Sequence, residues 1–208
     1  MKKLSVIIFL ALIPSIFLLS KCNTENKPDE LPADSNLSAA QPAYGGYKTA
    51  EEWGHHIVII AGCNDCHTPK KMAATGPEPD MALELSGHPA DMPVAAVNRE
   101  ELEKNGAFAS NDLTAWLGPW GISYAANITS DSTTGIGNWS EEQFMTCLRK
   151  GKYMGLENAR NLLPPMPWQD FSNMTDDELK AVFAYLKSTK PIDNIVPQAA
   201  PPVLARKQ

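Results

Sequence analysis

Three stretches of the chain repeat their apolar residues at helical spacing. In Thr49–Ala61, Trp53, Ile57, Ile60 and Ala61 fall at i, i+4, i+7 and i+8, which predicts a helix with one buried face. Gly54 sits inside that helix, where it costs about 1 kcal/mol relative to Ala, so its presence predicts close approach of another helix. Ser140-Glu141-Glu142-Gln143 reads as a capping box that opens a second helix through Phe144, Cys147 and Leu148 to Lys150, with Gly151 behind it. Thr175-Asp176-Asp177-Glu178 opens a third, in which Leu179, Val182, Phe183 and Leu186 form one apolar stripe and Pro191 closes the run. Between these, Gly76-Pro77-Glu78-Pro79 and the Gly87–Pro93 stretch break any long element, leaving room for a short one at Arg99–Lys104. Gly118-Pro119-Trp120-Gly121 is a turn, and Asp131–Gly137 is a loop by composition that lacks the alternating carboxylates of a calcium site. There is no internal repeat. The pattern predicts an all-α domain with long irregular loops.

The ends follow a different pattern. Lys2 and Lys3 precede an apolar run, Leu4–Leu19, that is shorter than the ~20 residues needed to span a bilayer comfortably. Residues 1–21 therefore read as an export signal. Leu18-Leu19-Ser20-Lys21-Cys22 resembles a bacterial lipoprotein box, with Cys22 as the lipidated residue, although Lys21 stands where the pattern prefers a small side chain. Residues 22–43 hold few large apolar side chains and read as a disordered tether. Residues 44–196 form the folded domain, and residues 197–208, with three prolines, a flexible tail. This organisation predicts a place in the bacterial cell envelope, on the periplasmic side, anchored to a membrane through the N-terminus.

The composition, 43% hydrophobic and 20% charged, excludes collagen-like and wholly disordered chains. A net charge of −6, with three more positive charges lost if residues 1–21 are removed, argues against nucleic acid as a partner. Four Cys are too few for a disulfide-built scaffold, so their spacing matters more than their number.

Cys63-Asn64-Asp65-Cys66-His67 carries the chemistry. Two thiols three positions apart can add to the two vinyl groups on one edge of a porphyrin, and the adjacent imidazole then sits under the iron. The pattern is the signature of c-type heme attachment. A thioredoxin-like pair would stand at a strand-to-helix junction, whereas this one follows a helix. A zinc site would need two further ligands at comparable spacing, and a plain disulfide leaves His67 without a role. The expectation is one covalent heme c, with Cys63 and Cys66 as anchors and His67 as an axial ligand.

The second axial ligand has to come from elsewhere. Met166 stands out in Leu163-Pro164-Pro165-Met166-Pro167-Trp168, where three prolines hold the backbone and reduce the entropy lost in presenting a side chain. A thioether ligand favours ferrous iron. Its rival reading is a packing methionine. His88 and Met92 share a Pro-flanked loop and are reserve ligands; His55 and His56 read as a surface and a packing residue, Met154 and Met174 as packing residues, and Cys147 as a structural thiol. Arg149, Lys150, Lys152 and Arg160 form a local basic group that could steer a partner.

The order of helix, Cys63–His67, long excursion, Pro-rich Met166 loop and last helix resembles class I c-type cytochromes. More narrowly, Ile60–Pro69, Asn127-Ile128-Thr129 with Gly135–Trp139, and Leu163–Trp168 are similar to cytochrome c domains associated with membrane-bound dehydrogenases. The resemblance implies a cytochrome c-like fold around one heme, with Cys63, Cys66, His67 and Met166 in the roles given above, close crossing of the first and last helices, and Gly54 facing the Leu179/Phe183 stripe. It also implies that Trp116, Trp120, Tyr124 and Asn127 wrap the heme or its propionates. Many such relatives carry several heme motifs in tandem, whereas this chain has one, which points to a one-electron carrier rather than an enzyme. Its expected partners are a redox donor and acceptor, such as a membrane-bound dehydrogenase or a terminal oxidase. The alternative is a heme enzyme or gas sensor whose distal site is open or labile.

Overall fold

A computed structural model of the chain describes residues 43–94, 104 and 106–200. The expected export signal, Cys22, the expected tether to residue 42, most of the expected Arg99–Lys104 element and the expected tail beyond residue 200 lie outside the described residues. Among the described residues, no helix is long and apolar enough to cross a membrane.

Helix α1 (Ala50–Ile60) starts where Thr49 Oγ1 accepts from the Glu52 N–H at 3.2 Å, with Glu51 and Glu52 favourably placed in the first turn. Gly62, at φ +68°, turns the chain into the short helix α2 (Cys63–His67). Helix α3 (Glu141–Lys150) and helix α5 (Asp176–Ser188) begin at the two expected capping boxes, both reciprocally bonded. Between them lies the single-turn α4 (Trp168–Phe171). Helices α1 and α5 cross as expected. A Cβ placed on Gly54 would lie 1.9 Å from the Ala181 carbonyl oxygen and 2.9 Å from Tyr185 Cβ.

Two details of that crossing differ from expectation. Gly54 meets Ala181 and Tyr185, not Leu179 and Phe183; Leu179 is buried in the core, and Phe183 stacks on Phe144 of α3 with centroids 5.1 Å apart. The buried face of α1 is Gly54, Ile57 and Val58, while Ile60 is 68% exposed. The glycine is the physical reason. The smallest residue marks the centre of the closest approach, so the face is rotated from the one that Trp53 and Ile60 suggest.

The all-α expectation is corrected by five short strands. β1 (Lys70–Ala73) and β2 (Gly76–Pro79) form an antiparallel hairpin, and β3 (Phe108–Ala109), β4 (Ala115–Gly118) and β5 (Gly121–Tyr124) form a three-stranded antiparallel sheet. The Gly118-Pro119-Trp120-Gly121 turn joins β4 to β5 with Gly118 opposite Gly121. Trp120 folds back over Gly118, where a Cβ would sit 2.4 Å from its ring. Residues 197–200, read from sequence as part of a tail, are held at their end: Ala200 and Ile122 exchange backbone hydrogen bonds of 2.9 and 3.0 Å. The core gathers Ile57, Val58, Leu85, Ile136, Phe144, Leu148, Leu179, Val182 and Leu186.

Candidate heme site

Gly62 and Thr68 bracket α2 tightly, so Cys63 and Cys66 lie one turn apart with His67 directly after them. Most carbonyls at the end of so short a helix lack an intrahelical partner, although Asn64 O accepts the Thr68 N–H at 3.3 Å. Lys70 adds donors there: its ammonium donates to the carbonyls of Asn64 (3.0 Å), Asp65 and Thr68 (2.7 Å). The Thr68 hydroxyl donates to Asn64 Oδ1 at 2.6 Å and accepts the Leu85 N–H at 2.9 Å. The motif is thereby fixed before any cofactor is considered.

Cys63, Cys66, His67 and Met166 all line one cavity of about 690 Å³. That lies within the ~300–1,000 Å³ of pockets that engulf sizeable ligands. Its other walls are mostly apolar, with Ile57, Ile136, Phe144, Leu148, Val182 and Leu186 prominent. The His67 Nδ1 lies 2.7 Å from the Ala126 carbonyl oxygen. A carbonyl can only accept, so Nδ1 carries the proton and Nε2 keeps its lone pair for a metal. Burial also pushes the imidazole below its ordinary range, which favours this neutral form. A flat, largely apolar macrocycle with an iron centre and an edge that accepts two thiols fits this donor set and these walls. A disulfide-exchanging pair fits it poorly. Burial drives the Cys63 thiol up to about 11 and raises Cys66 too, opposite to the lowered thiol such chemistry needs.

The Met166 loop is tied to the sheet. Ser123 Oγ donates to the Pro164 carbonyl at 2.5 Å and accepts from the Trp120 indole at 3.2 Å. Beyond the loop, the Trp168 ring packs where a side chain on Gly151 would stand. The reserve ligands His88 and Met92 are set apart from the cavity. His88 is fully buried and both ring nitrogens are engaged, Nδ1 with Thr114 Oγ1 (2.8 Å) and Nε2 with the Met92 carbonyl (3.0 Å), so neither is available to iron. His88 and Met92 also do not line the cavity. His56 stacks on Tyr47, and His55 packs at a tilt against Tyr185. Met154 and Met174 line the cavity, as does Cys147, whose thiol burial pushes up to about 11.

Of the four residues expected to wrap the cofactor, Trp116, Tyr124 and Asn127 line the cavity, and Trp120 does not. Asn127 is an organiser. Its amide donates to Ile192 O (2.8 Å) and Thr134 Oγ1 (3.0 Å), and its carbonyl accepts from the Thr129 N–H and hydroxyl. The expected basic group is largely spent on neighbours: Arg149 pairs with Asp176, Lys150 with Glu157, and Lys152 donates to Asn161.

Three contributors escaped the sequence reading. The Ala126 carbonyl has no residue-type signal. The Ile195–Ala199 wall, and Asn194 beside it clasping the Ser86 and His88 carbonyls, straddle the expected end of the domain at residue 196 and the start of the tail, where no residue was singled out. Lys70 is legible only as a cation shortly after the motif.

Comparison with known proteins places these features in context. The fructose dehydrogenase cytochrome subunit of Gluconobacter japonicus is 28% identical over 189 residues, covering 90% of this chain and 29% of that subunit. The gluconate 2-dehydrogenase cytochrome c subunit of Pantoea cypripedii is 39% identical over 67 residues, 32% of this chain and 14% of the relative. The chain is similar to cytochrome subunits of dehydrogenases. A further relative, the cytochrome c subunit of the quinone-dependent alcohol dehydrogenase of Gluconobacter oxydans, is 36% identical over 75 residues, 36% of this chain and 15% of that protein. The chain thus spans less than a third of the length of each of these relatives. No protein-family profile matches it. The similarity agrees with the resemblance carried by the heme motif and the Met166 loop, and it gives the cavity a chemical context: these cytochrome subunits are named for the cofactor class that the motif implies.

Proposed function

We propose that the chain is a single-heme c-type cytochrome that carries one electron at a time between a dehydrogenase and a second redox protein such as a terminal oxidase. In this reading Cys63 and Cys66 hold heme c through thioethers, His67 Nε2 and the Met166 sulfur cap the iron, and no residue is catalytic. The heme, when bound, supplies the ferrous–ferric couple. The chain's own residues do the rest. Ala126 orients the proximal imidazole, the Pro-rich loop braced by Ser123 holds Met166, and the apolar walls keep water away and the dielectric low. His67 and Met166, both held by the chain, would stay in place when such a group changed its charge, and a small transient contact would suffice for exchange. Residues 1–21 act as an export signal, and Cys22, lipidated, tethers the domain to the periplasmic face of a membrane.

The observation that carries the reading is the convergence on one cavity of the two thiols, an imidazole with its Nδ1 already committed, and Met166. The test is the ferric spectrum of protein expressed in cells competent for cytochrome maturation. A far-red methionine–iron band is expected, and it disappears in Met166→Ala, which gains carbon monoxide binding. A wild-type protein that is high-spin and binds carbon monoxide directly would instead support the open-site alternative.

A further inference from the structure

A buried polar cluster stands outside the cavity and has no role in the heme reading. His88, Asp112 and Thr114 are 0%, 3% and 0% exposed. His88 Nε2 lies 3.0 Å from the Met92 carbonyl oxygen and Nδ1 lies 2.8 Å from Thr114 Oγ1, which is in turn hydrogen-bonded to Asp112 Oδ2. The donor types fix the number of protons. A carbonyl can only accept, so Nε2 carries one. Two contacts remain, Nδ1 to Oγ1 and Oγ1 to Oδ2, and each needs a proton between its heavy atoms. The Thr114 hydroxyl supplies one. The other sits on Nδ1, giving an imidazolium and a carboxylate, or on Oδ2, giving a neutral ring and a carboxylic acid. Either way the His88–Asp112 pair is electrically neutral and holds one proton more than a neutral imidazole and a carboxylate would. Without that proton one contact sets lone pair against lone pair, and a negative charge stands buried without a counter-charge, which is costly. Asp112 Oδ1 adds to the cost, being buried with no hydrogen-bond partner among the described residues.

The cluster is tied to the cavity wall. Tyr124 lines the cavity, and its ring packs at a tilt against His88 with centroids 4.9 Å apart. The His88 N–H donates to Ala125 O at 3.0 Å, one residue before the carbonyl that accepts from His67. The Gly87 N–H donates to His67 O at 2.8 Å, and a Cβ on Gly87 would lie 2.5 Å from Ala125 O, so only glycine lets these segments close so far. Solvent is near on the other side. Leu113, between Asp112 and Thr114, is 41% exposed at φ +58°, so the turn that aims both side chains inward is itself at the surface. Among the described residues, two further titratable groups act on the pair. Tyr124 packs on the ring, and Lys70 feels the Asp112 charge, which partly opposes the lowering of its ammonium by burial.

We propose that the His88–Asp112 pair, bridged by Thr114, binds a proton when the cofactor gains an electron and releases it when the electron leaves. The inference rests on the heme reading above. On reduction, the electron passes from the donor protein to ferric iron and the proton from water to the pair; on oxidation, the electron passes to the acceptor protein and the proton returns to water. Only an N–H or O–H bond forms or breaks. Reduced iron carries one positive charge less than oxidised iron, so the pair holds its proton more tightly in the reduced state. The two residues titrate as a unit, so the property belongs to the pair and not to either member.

The experiment uses the full chain expressed with cytochrome maturation. Intact mass first establishes covalent heme in the wild type; an apoprotein mass overturns the heme reading and this inference with it. In heme-loaded wild type, the midpoint potential should fall with rising pH between the points at which the ferric and the ferrous protein lose the shared proton. Nuclear magnetic resonance of the His88 ring nitrogens and the Asp112 carboxyl carbon should place the ferric inflection below the ferrous one, by on the order of one pH unit. In Asp112→Asn the amide can donate to Thr114 and the hydroxyl to Nδ1, which fills every contact without a shared proton, so the sloping limb should be lost. Thr114→Ser keeps the hydroxyl and should keep the limb. An Asp112→Asn profile that superimposes on the wild type overturns the assignment, because the slope then belongs to another group. So do resonances that inflect at the same pH in both oxidation states, or in neither. If Asp112→Asn does not mature, the wild-type resonances decide.

Discussion

At the scale of single residues, the site depends on backbone oxygens as much as on side chains. The Cys63–His67 motif was legible because its chemistry resides in side-chain types at fixed spacing. What orients it was not, because the Ala126 carbonyl that accepts from His67 could belong to any residue. Lys70 is intermediate. Its three protons meet three carbonyls, of Asn64, Asp65 and Thr68, and burial lowers its pKa without removing those partners. It therefore does two things: it satisfies the end of α2 and stations a positive charge within a turn of His67. Lys70→Met should lower the unfolding free energy by ~1–2 kcal/mol, since hydrogen bonds to a charged donor are lost from a half-exposed site. It should also lower the midpoint potential, because a cation near the iron favours the ferrous form. Denaturant titration and redox titration of the matured protein measure the two effects. Lys70→Arg, which keeps the charge, should retain more of the potential than of the stability.

At the scale of elements, the three long helices were readable, and the short helices α2 and α4 and the strands were not. Capping boxes at Ser140 and Thr175 declare themselves through a side chain and a partner three residues on, and both boxes are present. Strands of two to four residues bounded by Gly and Pro, such as Ala115–Gly118 and Gly121–Tyr124, are too short to establish a period of two. Only the turn between them carried a signal. The crossing of α1 and α5 shows a different limit. Gly54 predicted the close approach, but a hydrophobicity pattern gives a glycine no weight, so the face it centres was assigned to its larger neighbours. The same position gives a sharp expectation. Gly54→Ala gains about 1 kcal/mol of helix propensity but drives a methyl group into the Ala181 carbonyl, 1.9 Å away, where the neighbour is backbone and cannot rotate aside. Overpacking against such a wall costs on the order of 3 kcal/mol, so a net loss of ~2 kcal/mol should appear in urea unfolding. Because α1 leads directly into Cys63, the same variant should also reduce the yield of heme-loaded protein.

At the scale of the whole molecule, the cavity is assembled from segments far apart in the chain: the end of α1, the stretch after β5, α3, the Met166 loop, and residues 195–199. Long-range hydrogen bonds join them, from Asn127 to Ile192, from Asn194 to Ser86 and His88, and from Ser123 to Pro164. None of these has a local pattern, which is why residues 197–199, part of the same wall, read as tail. The four cysteines, by contrast, give one measurable count for the entire proposal. Covalent heme consumes Cys63 and Cys66 as thioethers, and lipidation consumes Cys22, leaving Cys147 as a free thiol. In the folded state that thiol is pushed up to about 11, so at pH 8 it stays protonated and should resist alkylation. Unfolding returns it toward its ordinary pKa of ~8.5 and exposes it. Protein purified from maturation-competent cells should therefore take up no iodoacetamide when native and one label when denatured, read by intact mass. Two labels on denaturation would mean heme without the lipid anchor. Three would mean a lipoprotein whose Cys63 and Cys66 never bonded to a porphyrin, and four would remove both modifications at once. The native and denatured counts together separate how the chain is anchored from what it carries.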